Sequence, residues 1–212
     1  MQREGYLREE IIYQMINVLT PYTGKREPRW VSERLALVVM NPINFFYDRN
    51  SKGYVPSTTY LVDVLPMLIS KAHESSMPVF FIRHAVVRGK EGNIGRWWRY
   101  PVYEDSVDSM LYPLFAEFPG IEFVKSRYSA FSSEAFVNAL KAYDIGGLVI
   151  TGVLLDLSVI ATALDAFDRD YTVVVPVDGV ATLTYDLHIS SMKIIAHGCG
   201  FIPTVEEVVS VI

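Results

Sequence analysis

Apolar and polar positions alternate in blocks along most of the chain. "LALVVM" (35–40) is a short, almost wholly apolar run, the pattern of a strand buried on both faces. "TTYLVDVLPMLISKAHESS" (58–76) then puts Leu61, Leu65, Leu68 and Ala72 on one face of a predicted helix. Pro66 inside it predicts a kink or an early break, because proline lacks the donor and clashes with the preceding turn. A second strand, "PVFFIRH" (78–84), leads into a long irregular segment, 85–110. The rhythm resumes with strand "IEFV", helix 132–143, strand "GGLVITGV" (146–153) and helix 156–170. Strand "YTVVVPVD" (171–178), helix 184–198, strand "CGFIPT" and a closing "VEEVVSVI" complete the chain. Ahead of all this, Leu7, Ile11, Met15 and Val18 recur at helical spacing within Arg3 to Thr20, and "PYTGKREPRW" reads as a linker. Residues 1–30 therefore form an N-terminal helical arm, packed on the 31–212 domain or exchanged with a neighbouring subunit.

Strand–helix units with apolar strands predict an α/β fold, a three-layer αβα sandwich around a mainly parallel sheet of about five or six strands. Ligands in such folds lie at the carboxyl ends of the strands. That selects three places: just after Met40, around Lys125, and the turn from Val153 to Ser158.

Composition narrows the class. The 212 residues are 50% apolar with a formal charge of −5 and a mean hydropathy of +0.22. That suits one compact domain with a substantial core. No basic block appears, so no nucleic-acid partner is expected. A single cysteine, Cys199, excludes an internal disulfide and gives no support to a structural zinc site. The charged start "MQREGYLREE" is no signal peptide, and apolar runs of about 8 to 10 residues fall short of the roughly 20 a bilayer needs. The expectation is a cytoplasmic protein with no membrane partner.

The most specific segments are "VKSRYSAF" (124–131) and "VITGVLLDLSVIATALDAFDRDYTVVVPVDGVAT" (149–182). Over residues 33 to 208 the chain resembles the isochorismatase-like superfamily, the cysteine hydrolases. Lys-x-Arg-Tyr-Ser-Ala-Phe is closest to the isochorismatase branch. The resemblance implies an isochorismatase-like fold, a homo-oligomer, a small-molecule ligand and no cofactor. Amidases of that family combine an aspartate base at the end of the first strand, a lysine, and a cysteine nucleophile after the Thr-Gly-Val strand. Isochorismatases lack the cysteine and rely on the aspartate. Carried over, the lysine is Lys125, the aspartate position is Asn41, and the cysteine position is Ser158. The resemblance also implies a non-proline cis peptide between Val153 and Leu154. Zinc-binding nicotinamidases carry an Asp-x-His and a further histidine after the first strand. No histidine stands in "DRNSKGYVPSTTYL", so no metal is expected.

An amide at position 41 accepts no proton near neutral pH, and a serine hydroxyl needs an adjacent base to attack a carbonyl. Both inherited routes therefore fail on paper. Buried without a carboxylate, Lys125 becomes a candidate base for Ser158. Ile43 and Leu155 stand where the family commonly has glutamine and threonine. That drift points to a native site with an apolar floor, not to an engineered trap. Two readings follow: a retooled enzyme acting on a small carbonyl- or carboxylate-bearing compound, or an inactive binding or scaffold subunit. In the first, Asn41 orients the substrate, and backbone amides near Leu154 and Ser158 form an oxyanion hole.

Other groups have plainer readings. Asp48 is a solvated turn residue before it is a displaced carboxylate. His84 ends a strand, as a pocket base or a hydrogen-bonded residue at the rim, while His188 and His197 read as structural or surface residues. "RWWRYPVY" (96–103) either places Trp97, Trp98 and Tyr100 over a ligand, with Arg96 or Arg99 on a carboxylate, or forms a subunit interface. Tyr128 joins Val153, Leu154, Trp97 and Trp98 as a candidate substrate contact. Asp156 reads as an N-cap, Asp165 as structural, and Cys199 as a buried apolar residue.

Overall fold

A computed structural model of the protein describes residues 3–23 and 29–212. Six strands form one sheet: β1 Leu35–Met40, β2 Val79–His84, β3 Ile121–Lys125, β4 Gly147–Val153, β5 Thr172–Val174 and β6 Val180–Ala181. Their order is β3-β2-β1-β4-β5, with β6 alongside the far end of β4, and every strand pairing is parallel. β1 and β4 are buried at every position, which is why their sequences are continuous apolar runs and not alternating ones.

Helices Thr58–Glu74, Glu134–Ala142, Ile160–Phe167 and Tyr185–Gly198 flank this sheet. From β1 the chain crosses outward to β2 and β3, and from β4 it proceeds the opposite way to β5. With right-handed crossovers, the helices of the two halves fall on opposite faces. The strand order reverses between β1 and β4, so a crevice opens beyond their carboxyl ends.

Some elements differ from their sequence patterns. The Thr58–Glu74 helix is not broken at Pro66. One face of it buries Leu61, Leu65, Leu68, Ile69 and Ala72. At about 1.5–3 kcal/mol for each large side chain, that burial outweighs the roughly 3 kcal/mol a helical proline costs. The run 171–178 stops as a strand at Val174, two residues before Pro176, and pairing resumes only at β6. "CGFIPT" is not a strand but a single parallel bridge from Phe201 to Val174, because Pro203 lacks the donor that a ladder needs. "VEEVV" is a short helix, opened by a reciprocal capping box between Thr204 and Glu207.

The N-terminal helix spans Glu9–Thr23 and packs on the Tyr185–Gly198 helix. Ahead of it, residues 3–7 are extended against the domain. Tyr6 Oη receives the Thr182 N–H at 2.9 Å and lies 2.9 Å from His188 Nδ1. Residues 24–28 of the expected linker lie outside the described residues.

Candidate active site

Four adjacent strands end side by side, and each delivers one group to the crevice. Lys125 closes β3, His84 closes β2, Asn41 follows β1, and Val153 closes β4. Asn41 has a φ of 50°, a left-handed conformation that asparagine tolerates better than most residues. Across the β1–β4 register, Met40 faces Gly152, whose φ is 92°. A Cβ on Gly152 would lie 2.3 Å from the Met40 carbonyl oxygen, so only glycine permits this approach. The Val153–Leu154 peptide is cis, as the resemblance implies.

After it comes a π-helical turn, Leu155–Val159, which carries Ser158. Thr162, one turn on, donates to the Ser158 carbonyl at 2.7 Å and accepts the Ala130 N–H at 3.0 Å. That threonine ties the serine-bearing turn to the segment following Lys125. Asp156 does not cap the turn; its carboxylate instead accepts a hydrogen bond from Thr182 Oγ1.

The three carried-over positions meet. Asn41 Nδ2 donates to the Val153 carbonyl at 2.5 Å and to Ser158 Oγ at 3.0 Å. A carbonyl oxygen can only accept, so this contact orients the amide with its NH2 toward β4. Asn41 Oδ1 is buried and has no hydrogen-bond partner among the described residues. Lys125 Nζ lies 3.2 Å from Ser158 Oγ and donates to the Arg127 carbonyl at 3.0 Å. Lys125 is 1% exposed, and no carboxylate pairs with it among the described residues. Burial therefore disfavours its charged form and lowers its pKa from 10.5 to about 7. His84, half-buried and next to Lys125, is held neutral, its pKa lowered to about 3 chiefly by loss of solvent around the ring.

A cavity of about 170 Å3 opens above this floor. Asn41 and Ser158 line it, with Phe45, Phe46, Ile94, Leu154 and Leu157 as apolar walls. Trp98 and Tyr128 line it too, joined by a 2.9 Å hydrogen bond from Trp98 Nε1 to Tyr128 Oη. Of the other expected contacts, Val153 contributes its carbonyl without reaching the cavity surface. Trp97 is 79% exposed and lines a separate outer groove with Arg96 and Arg127. Lys125 touches Ser158 without itself lining the cavity.

The sequence reading missed Arg3 and Lys52, which also line the cavity, and left the role of His84 open. His84 does reach the cavity, and its Nδ1 has no partner among the described residues. Asp48 stays outside, capping its own turn at the Asn50 N–H. Asp165 pairs with Arg169, His188 is buried against Tyr6, and Cys199 is buried. Among the described residues, no cluster of three or more His, Cys, Asp or Glu could hold a metal ion, and no helix is long and apolar enough to cross a membrane.

Residues 35–207 match the isochorismatase domain family. The chain belongs to that family. Within it, the chain is 26% identical over 185 residues to nicotinamidase 3 of Arabidopsis thaliana, covering 85% of this chain and 88% of that protein. A shorter stretch of 84 residues is 37% identical to enterobactin synthase component B of Escherichia coli K12, 40% of this chain but 30% of that one. The fold matches a cysteine hydrolase from Pseudomonas syringae pv. phaseolicola, with a TM-score of 0.80 at 22% identity over 84% of this chain and 92% of the other. It also matches N-carbamoylsarcosine amidase of Thermoplasma acidophilum, with a TM-score of 0.70 at 22% identity over 82% and 97%.

Proposed function

We propose that this isochorismatase-family protein is a serine hydrolase of small carbonyl compounds, with Ser158 as nucleophile and Lys125 as its base. The observation that carries this reading is the 3.2 Å contact between Lys125 Nζ and Ser158 Oγ, made by a lysine whose pKa burial has lowered to about 7. A base poised near the working pH combines a useful neutral fraction with enough proton affinity. Asn41 occupies the position of the family's aspartate and does other work. It donates to Ser158 Oγ, so that the hydroxyl proton is left to point at Lys125.

In the first step Ser158 Oγ bonds to the substrate carbonyl carbon while its proton passes to Lys125 Nζ. The carbonyl oxygen becomes an oxyanion, for which the backbone N–H groups of Leu154 and Ser158 are the assigned donors. Collapse breaks the bond to the amine or alkoxide, which takes the proton from Lys125. Water then adds to the acyl-serine with Lys125 again accepting a proton, and the C–Oγ bond breaks as Ser158 Oγ takes that proton back, releasing the acid. A hydrolase of this kind keeps the family's reaction class while using neither a carboxylate base nor a thiol.

A binding-only protein is the second reading, favoured by the lack of any Asp or Glu among the described residues lining the cavity. The two separate by active-site labelling. A fluorophosphonate should attach to Ser158, faster as pH rises through about 7, and the label should vanish in Ser158→Ala. Lys125→Met should slow it by about 100-fold or more, within the span expected for a general base. An unlabelled Ser158 in folded native protein sinks the hydrolase and leaves the binding protein.

A further inference from the structure

The mouth of the cavity carries three cations that the reaction above does not use. Arg3 comes from the N-terminal segment, outside the matched residues 35–207, while Lys52 and Arg99 come from two separate loops. Arg3 is anchored by backbone carbonyls: Nη1 donates to Tyr54 at 2.9 Å and Nη2 to Lys52 at 2.5 Å. Two of its five donors are thereby used and three remain. Lys52 Nζ lies 4.8 Å, and Arg99 Cζ 5.4 Å, from the centre of the Tyr100 ring. Tyr100 thus holds both cations at the mouth.

None of the three pairs with a carboxylate among the described residues. In a chain of formal charge −5, three unpaired cations around one opening form a local field opposite in sign to the whole. Below them the cavity is apolar, and His84 adds no charge near neutral pH. An engineered cavity of about 150 Å3 admits benzene, so this one accommodates a body of about one ring.

We infer that the ligand is an amphipathic acid: a carboxylate at the mouth among Arg3, Lys52 and Arg99, an apolar body against Phe45, Phe46 and Trp98, and the reacting carbonyl over Ser158. Arg3 is then a specificity residue supplied by the N-terminal arm. The inference takes the placing of the reacting carbonyl over Ser158 from the proposed hydrolysis. Its carboxylate selectivity requires no turnover.

The probes are benzoate, phenylacetate and 3-phenylpropionate with their uncharged amides, titrated against the full chain by the fluorescence change of Trp98. A Trp30→Phe, Trp97→Phe background leaves Trp98 as the remaining tryptophan and isolates that signal. At least one acid should bind about tenfold or more tighter than its amide, with a preference that weakens as salt rises. Arg3→Gln and Arg99→Gln should each lower acid binding by about tenfold and leave amide binding unchanged. Ser158→Ala should retain the preference, which separates this result from any failure of the hydrolase. Circular dichroism and thermal melting confirm that each variant is folded. The inference is overturned if no acid binds tighter than its amide, or if both arginine variants bind the acids as the native protein does.

Discussion

Lys125 Nζ and Ser158 Oγ stand 3.2 Å apart in the interior, although they come from strand ends separated by two other strands. The contact exists because the ends of β3, β2, β1 and β4 lie within two residues of one another in register, so a long side chain from the edge can reach across. A hydroxyl held between an amine and an amide donor is the arrangement from which the consequences below follow.

The buried amine sets a pH dependence of stability. Below its unfolded value of 10.5 the unfolded chain binds a proton that native Lys125 resists until about pH 7. Stability contributed here therefore rises with pH between those values and is lower, but constant, below them. The gap corresponds to roughly 5 kcal/mol of penalty, offset in part by two hydrogen bonds worth about 1–2 kcal/mol each. Lys125→Met should stabilise the protein by about 1–3 kcal/mol near pH 7, an advantage that shrinks toward pH 9. Urea unfolding of both proteins across that range checks it; a constant difference would refute the assigned shift.

Asn41→Asp tests the orientation of the amide. The substitution puts an acceptor oxygen where Nδ2 now donates to the Val153 carbonyl at 2.5 Å. Two acceptors in contact should cost about 1–3 kcal/mol, read as a lower melting temperature. Combined with Ser158→Cys it should nevertheless yield amidase turnover on small amides, because a carboxylate base and a thiol nucleophile then stand together. A silent double variant would mean that the pocket, and not only the two side chains, has been remodelled.

Gly152→Ala should be among the most damaging small substitutions. Its Cβ meets the Met40 carbonyl at 2.3 Å in a backbone conformation that alanine resists. Strain of this kind costs on the order of 1–3 kcal/mol before any clash is counted. The clash separates β1 from β4 beside Asn41, so labelling of Ser158 should fall even in the fraction that folds. Thermal melting with labelling measures both losses.

Tyr6→Phe tests the seating of the N-terminal segment. The hydroxyl serves the Thr182 N–H and His188 Nδ1 together, and its removal leaves both buried groups unpaired. A cost of about 1–3 kcal/mol is expected, with faster proteolysis ahead of residue 9. Unchanged urea midpoints would show that the segment is held by apolar contacts alone.

Much of this was readable in the residues. The apolar runs declare buried parallel strands, and their carboxyl ends alone select the stretches after Met40, around Lys125 and from Val153 to Ser158. Within those stretches it is the likeness of the motifs that singles out Asn41, Lys125 and Ser158, since their spacing in sequence carries no distance. What escaped depends on contacts distant in the chain. Pro66 stays helical because five side chains on one face are buried, which local propensity does not register. "CGFIPT" has a strand's composition, yet Pro203 interrupts the ladder. Trp97 and Trp98 are neighbours of equal chemistry, and only the turn of the backbone sends one to the cavity and the other outward. Arg3 looked like any charged residue of a leading segment, and nothing near it in sequence reveals that it ends beside residues 52 and 54.

That last placement has a practical side. Whatever is joined upstream of Arg3, whether an affinity handle or a fused domain, emerges at the doorway of the cavity and can compete for it. Handles of that kind belong at the opposite terminus, beyond Ile212.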